Sequence, residues 1–219
     1  LLWSLYENTA YRSIHSWATA YKSTFGVYKH ARNLYNPAYR LGEFWKTHLW
    51  GGALDLEEGR GGALPVAARY EPARRAIAQI WRWSNWAIKK DVCTLWGAVL
   101  GDVAIRVIDD TERGKTYLEP VHPATLADVQ MDPFGNVKAY TIQETRQHPL
   151  AGAHGGAPQT VTYTETAERG AGEEVIFRTY LNGQPYPWNG QAAEWVEPYG
   201  FIPLVVIQHN NVGLDWGWS

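Results

Sequence analysis

Three kinds of residue in this sequence could carry out chemistry: clustered carboxylates, scattered histidines and a single cysteine. Asp109, Asp110 and Glu112 form the densest carboxylate group and could hold a divalent cation weakly. They also fall in a predicted hairpin turn, where Asp is favoured because it accepts hydrogen bonds from the local backbone, and we prefer this interpretation. None of the seven histidines lies at metal-ligand spacing from the cysteine or from another histidine. The sequence therefore predicts no metal and no cofactor.

The motifs that activate a serine or bind a phosphate are also missing. There is no Gly-x-Ser-x-Gly sequence, which in many hydrolases presents the nucleophilic serine. There is no Gly-x-x-x-x-Gly-Lys-Ser/Thr sequence either, so the glycines at 59, 61 and 62 are interpreted as a turn. Cys93 and His48 lie in predicted helices, and we interpret both as core or interface residues. No motif indicates a named reaction.

Two functions stay open on the residues alone. The first is a carbohydrate-active enzyme, because paired catalytic carboxylates are set by their spacing in the fold and not in the sequence. Trp188 and Trp195 could then provide a platform on which sugars stack. The second is a binding module that uses the aromatic β-rich half as its platform. Against both, tryptophans spread through a whole chain are more often core and interface material.

The composition indicates a folded protein. The 219 residues are 45% hydrophobic and include 12 Trp, 13 Tyr and 5 Phe, enough to cover a substantial core. No apolar run approaches the roughly 18 residues that cross a bilayer, so we expect no membrane span. Glu7, Arg12 and His15 interrupt the segment where a signal peptide would be apolar.

The first hundred residues have the period of α-helices. Ser4 and Glu7 form a predicted capping box before a first helix, and Asn36-Pro37 predicts the start of a second. A third helix is predicted from Pro72 to Trp96, roughly 36 Å long if continuous. The apolar stripes of the first two helices are predicted to be Trp3, Tyr6, Ala10, Ile14, Trp17, Tyr21 and Phe25, and then Ala38, Leu41, Trp45, His48 and Leu49.

After Gly101 the hydrophobic period changes from 3.6 to 2, which indicates β-strands. Asp132–Asn136 and Asn182-Gly183 are predicted as tight turns between strands. Residues 147–158 are predicted to form a surface loop, and prolines 185, 187 and 198 to keep their segment irregular. The predicted strands are residues 103–108, 117–121, 129–131, 137–145, 160–166, 175–181 and 202–209. We therefore expect one α+β unit over residues 1–219, with a helical part (1–100) packed on a mostly antiparallel β-rich part (101–219).

The charges of the two halves are opposed. Residues 1–100 hold 13 Lys/Arg and 7 Asp/Glu, a net charge of +6, whereas residues 101–219 have a net charge of −8. Such an asymmetry is typical of a charged contact surface, although solvated faces that happen to differ would give the same numbers.

The order of elements from residue 81 onward resembles a known family. A tryptophan-bearing helix ends in Gly101-Asp102, a strand follows, then a Glu119-Pro120 segment, and then an Asp132–Val137 turn with the pattern Asp-x-x-Gly-x-Val. Residues 199–206 continue with Gly-x-hydrophobic-Pro-hydrophobic-Val. This order is similar to that of the portal (head–tail connector) proteins of tailed bacteriophages, particularly long-tailed ones. The resemblance covers residues 81–209 best, and matches the wing region without the stem and clip.

The resemblance implies a structural protein and not an enzyme. Portal subunits form a closed ring, commonly of twelve, at one vertex of the capsid of the virion. Double-stranded DNA passes through the ring during packaging and ejection without sequence-specific binding. The implied protein partners are the major capsid protein, the terminase and the head-completion or adaptor proteins.

A ring of identical subunits requires head-to-tail interfaces, in which two different surfaces meet. The opposed halves could supply complementary charge to such an interface, with aromatic residues supplying most of the affinity. The candidate subunit-interface residues are Arg74, Arg75, Arg82, Lys89 and Lys90 on the basic side and Glu165, Glu168, Glu173 and Glu174 on the acidic side.

Overall fold

A computed structural model describes residues 1–7, 37–49, 70–147, 160–187 and 191–209. Within these ranges helices come first and antiparallel strands follow, so the predicted α+β fold class is confirmed. No helix in the described ranges is long and apolar enough to span a bilayer. The helices are α1 (Leu2–Tyr6), α2 (Pro37–Leu49), α3 (Glu71–Trp83) and α4 (Trp86–Leu100). The strands are β1 (Asp102–Asp110), β2 (Lys115–Val121), β3 (Leu126–Met131), β4 (Val137–Gln147), β5 (Thr160–Arg169), β6 (Val175–Leu181), β7 (Gln184–Pro185), β8 (Glu194–Glu197) and β9 (Leu204–Gln208).

The chain divides into two compact units. One comprises Leu1–Val103 with Ile207–Ser219, and the other comprises Ala104–Val206. The boundary falls close to Gly101, where the hydrophobic period of the sequence changes. The predicted packing of the helices on the β-rich layer stays a prediction.

In the first unit, α2 packs through its smallest residue. Gly42 is the buried residue of this helix, and a Cβ atom placed there would lie 3.1 Å from Tyr6 and 3.2 Å from Leu95. Tyr6 also donates a hydrogen bond of 2.7 Å to Glu43. The helix begins at Pro37 as predicted, but its predicted apolar stripe is wrong. Leu41, Trp45 and Leu49 of that stripe are exposed because close packing against α1 and α4 requires the glycine side of the helix.

The predicted continuous third helix is also wrong, because it breaks into α3 and α4 between Trp83 and Trp86. Asn85 has φ 52° and ψ 44°, a left-handed conformation that asparagine tolerates better than most residues. Ser84 is the C-cap of α3, and its hydroxyl donates to the carbonyl of Ile80 at 2.5 Å. Helix α4 then ends at Gly101, whose φ of 94° suits a residue without a side chain.

The capping box predicted at the N-terminus is wrong. Helix α1 begins at Leu2, so Ser4 lies inside it and donates to the carbonyl of Leu1, while Glu7 follows its last residue. The rest of the first aromatic stripe lies outside the described residues. So do the predicted cap Asn36, the glycines at 59, 61 and 62 that are interpreted as a turn, and residues 148–158 of the predicted surface loop.

The second unit is built mainly on a six-stranded antiparallel sheet. The strand order is β3-β4-β5-β6-β7, and β8 pairs with β6. Every predicted strand is found, the strand at 175–181 with its predicted bounds and the others with one or both ends shifted. The turns Asp132–Asn136 and Asn182-Gly183 are confirmed. Strand β8 lies in the segment predicted to be irregular. A second sheet has the order β2-β1-β9.

The core of this unit lies on the side of β4, β5 and β6 that carries the alternating buried residues. On β5 these are Val161, Tyr163, Glu165 and Ala167. A carboxylate therefore occupies one of the inward positions of a central strand, and this placement creates the site described below.

Candidate functional site

A buried ion pair joins the two sheets of the second unit. Arg106 of β1 donates through Nη1 to Oε1 of Glu165 on β5, and through Nη2 to Glu119 of β2 at 2.6 Å. Tyr140 donates to Oε1 of Glu165 at 2.7 Å, and Tyr163 donates to Oε2 at 2.8 Å. Glu165 is only 7% exposed, so this carboxylate is fully enclosed by hydrogen-bond donors.

The hydrogen bonds and charges of this network keep Glu165 ionised and both tyrosines protonated at neutral pH. Burial alone would raise the pKa of Glu165, but the charge of Arg106 and the hydrogen bonds from Arg106, Tyr140 and Tyr163 together lower it. Burial and the adjacent carboxylate raise the pKa of both tyrosines. Glu165 is therefore ionised at neutral pH. It is unsuited to the role of glycosidase general acid, which needs a raised pKa.

A pocket of about 70 Å³ lies beside this network, entirely within the second unit. Its lining is aromatic and acidic. The aromatic residues are Tyr117, Tyr140, Phe177, Trp195 and Tyr199. The charged residues are Arg106, Asp109, Asp110, Glu165 and Glu197.

The aromatic wall of the pocket is held by ring contacts. Phe177 of β6 and Trp195 of β8 stack with centroids 5.2 Å apart and planes within 9°. Tyr199 meets Phe177 edge to face at 6.4 Å. These positions follow from strand pairing, since Phe177 and Trp195 are register partners in the β6–β8 ladder. The wall is thus preformed by the sheet.

The acidic residues impose a negative potential on this pocket. Burial, the charges of Glu197 and Asp109, and a hydrogen bond to Asp109 raise the pKa of Tyr199 to about 12. Burial and the charges of Glu119 and Asp110 raise the pKa of Tyr117 in the same way. Nε of Arg106 is buried and has no hydrogen-bond partner among the described residues.

Analysis of the sequence did not identify Arg106, Glu119, Tyr140 or Tyr163 as candidate site residues. The signal that could have found the network is the two-residue period of β5, which puts Glu165 in line with apolar neighbours. Of the carboxylates predicted to fall in a hairpin turn, only Glu112 lies in the turn, because β1 extends through Asp109 and Asp110. Asp110 accepts from the backbone N–H of Arg113 in that turn at 3.0 Å. No group of three potential metal ligands is found among the described residues. Cys93 is buried as expected, and burial raises its pKa to about 11.

The acidic interface candidates must be corrected at one position. Glu165 was expected on a contact surface, but it is buried because Arg106 and the two tyrosines bind both of its oxygens. Glu168 is exposed and pairs with Arg178, which also bonds Glu194 at 2.6 Å. Glu173 and Glu174 are exposed in the turn between β5 and β6.

The basic interface candidates lie on two consecutive helices of the first unit. Arg74 and Arg75 on α3 both pair with Glu71 of the same helix, at 2.6 and 3.1 Å, and Arg82 is exposed. Lys89 on α4 is half-buried. Lys90 is only 8% exposed, so its placement on an exposed surface is wrong. The reason is its place on the buried face of α4, one helical turn from Trp86 and from Cys93.

A comparison of the chain with models of known protein families finds no match, and a comparison with curated proteins finds none.

Proposed function

We propose that the protein is the wing-region portion of a phage-type portal subunit, a structural component of a ring through which DNA enters and leaves a capsid. The observation that carries the proposal is the order of elements after α4. The helix ends at a left-handed Gly101 and leads directly through Asp102 into β1, and the Asp132–Asn136 turn joins β3 to β4. The resemblance stated from the sequence rests on this same order.

The buried network is consistent with a structural role. Arg106 and the two tyrosines donate to both oxygens of Glu165, which is buried and ionised. Such a group stabilises one relative position of its strands and has no proton to give at neutral pH. A subunit that must keep its shape under the load of DNA translocation benefits from this rigidity.

The proposal is tested by the size of the assembly. The full-length natural protein, purified without other phage proteins, is expected to form closed rings, commonly of twelve copies. Native mass spectrometry gives the copy number, and negative-stain electron microscopy shows the central channel. A protein that stays monomeric or dimeric at all concentrations would contradict the proposal.

A binding module is the second candidate, because the aromatic and acidic pocket of the second unit has the preformed wall of a ligand site. As a module it would bind its ligand as a monomer or dimer. The same mass measurement therefore separates the two candidates.

A further inference from the structure

The pocket beside Arg106 carries an excess of negative charge. Four carboxylates line it, those of Asp109, Asp110, Glu165 and Glu197, against the single guanidinium of Arg106, which gives a net charge of −3. The ion pairs just outside do not change this balance. Arg113 pairs with Asp110 at 3.1 Å and adds one positive charge, while Glu119 pairs with Arg106 and adds one negative charge.

The one positive charge in the lining, that of Arg106, is already paired with carboxylates. Both terminal nitrogens of Arg106 bond carboxylates, one to Glu165 and one to Glu119. Asp109 and Glu197, by contrast, are not joined to Arg106, and both raise the pKa of Tyr199 through their charge. An anion entering the pocket would meet these two carboxylates.

The remaining walls are aromatic. Electron-rich ring faces attract organic cations, and tryptophan and tyrosine do so best. Trp195, Tyr199 and Tyr117 all line the pocket, and Trp195 is held in place by its stack on Phe177. Aromatic walls with carboxylates beside them are suited to a cation that also has an apolar stem.

We propose that this pocket binds an organic cation, a guanidinium or primary ammonium group on an unbranched aliphatic stem, as in an arginine or lysine side chain. The carboxylates of Asp109 and Glu197 receive the charge, and the aromatic walls cover the stem. The pocket has room for about five water molecules, which is enough for one such side chain and not for a folded segment. This inference does not depend on the portal proposal, because it concerns a pocket within one chain.

The test compares three capped amino acids that differ mainly in charge. The probes are the N-acetyl methylamides of arginine (cationic), citrulline (neutral, of nearly the same shape) and glutamate (anionic). Binding to the whole chain is measured by calorimetry and by the indole N–H signal of Trp195, assigned with Trp195→Phe. The arginine probe is expected to bind with a Kd on the order of 1 mM, and citrulline about tenfold more weakly.

Charge-removing variants locate the binding. Glu197→Gln and Asp109→Asn keep the side-chain shape, and each is expected to weaken arginine binding by about threefold to tenfold. Glu174→Gln is the matched control, because Glu174 is an exposed carboxylate of the same unit outside the pocket. It is expected to leave binding unchanged. Raising the salt concentration should weaken the arginine probe but not the citrulline probe.

Equal binding of arginine and citrulline would overturn the proposal. So would tighter binding of the glutamate probe, which would instead assign the pocket to an anion held by the unpartnered Nε of Arg106. A dilution series identifies the source of the cation. If a second copy of the chain supplies it, dilution alone shifts the Trp195 signal and Glu197→Gln removes that shift. If the source is a free small cation, only the added probe shifts it.

Discussion

Glu165, at 7% exposed, is the most buried charged residue among the described residues of the second unit. Its two oxygens accept from Arg106, Tyr140 and Tyr163, and each of these donors would be left buried without it. An ion pair of this kind contributes little relative to a well-packed apolar pair, but removing one partner is costly because the other charge stays buried.

Glu165→Gln is therefore expected to lower the free energy of unfolding by about 3 kcal/mol, measured by urea denaturation. The double variant Arg106→Met with Glu165→Gln should recover more than half of this loss, because no buried charge is then left unpaired and the amide oxygen at position 165 can still accept from a tyrosine. Glu168→Gln is the control on the same strand. Glu168 is exposed, so its pair with Arg178 is expected to contribute less than about 1 kcal/mol. If Glu168→Gln lowers the free energy of unfolding as much as Glu165→Gln does, the position on β5, and not burial of the carboxylate, determines the loss.

The lowered pKa of Glu165 predicts the pH dependence of stability. Its ordinary value is 4.5, and the folded value lies below it, so the unfolded chain binds more protons in this range. The stability from Glu165 is thus fully present above the unfolded pKa and is lost as pH falls through the folded pKa. The difference in unfolding free energy between wild type and Glu165→Gln should stay constant above about pH 6 and shrink below pH 4.5. A difference that grows on acidification would mean that the pKa is raised.

The sequence contains the evidence for the inward position of Glu165 but not for its partners. The alternation Val161, Tyr163, Glu165, Ala167 places the carboxylate on the apolar side of β5. The partner Arg106 is separated from it by about 60 residues, and only the strand order of the fold brings the two together. Charge counting instead assigned Glu165 to a surface, because it treats every carboxylate as solvated.

At the scale of elements, two asparagines in the left-handed region offer a matched test. Asn85 has φ 52° and makes no side-chain capping bond, whereas Asn182 has φ 50° and accepts from the backbone N–H of Thr162 at 2.9 Å. Asn85→Gly is expected to leave stability nearly unchanged, and Asn85→Ala to lower it by about 1 kcal/mol. Asn182→Gly is expected to lower the free energy of unfolding by about 1 kcal/mol, because it removes the hydrogen bond to Thr162.

Thermal unfolding followed by circular dichroism measures all three variants. If Asn85→Ala proves harmless, the helix continues through residue 85 in solution and the break between α3 and α4 is absent.

The hydrophobic periodicity of the sequence predicted the presence of most helices and strands, but it predicted their ends less well. The strands from β1 to β6 were located within a few residues because apolar alternation and turn residues agree there. The break at Asn85 was missed because residues 72–96 keep a helical apolar spacing across it, and a single left-handed residue leaves no trace in that spacing. Strand β8 was missed because neighbouring prolines suggested irregular chain, although its four residues 194–197 contain none.

At the scale of the whole molecule, the opposed charges predict how copies would meet. In the full-length protein, changing Arg74, Arg75 and Arg82 to Glu is expected to impair ring assembly and to flatten its dependence on salt, because attraction to Glu168, Glu173 and Glu174 of a neighbour is lost. Light scattering across salt concentrations measures the assembly. Lys138→Glu, an exposed charge reversal outside the set, is the control. Unchanged assembly and salt dependence would mean that these surfaces do not meet.

The pairing of β9 with β1 has a consequence for how the chain is made. The backbone N–H of Val107 donates to the carbonyl of Pro203 at 2.9 Å, so β1 takes one of its neighbours from much later in the sequence. During synthesis β1 leaves the ribosome long before β9, and until then one edge of β1 is open to strands from other chains. Chains that stop before residue 204 are therefore expected to aggregate at concentrations where the whole chain stays dispersed, as sedimentation would reveal. Translation speed between β1 and β9 then becomes part of what protects the fold.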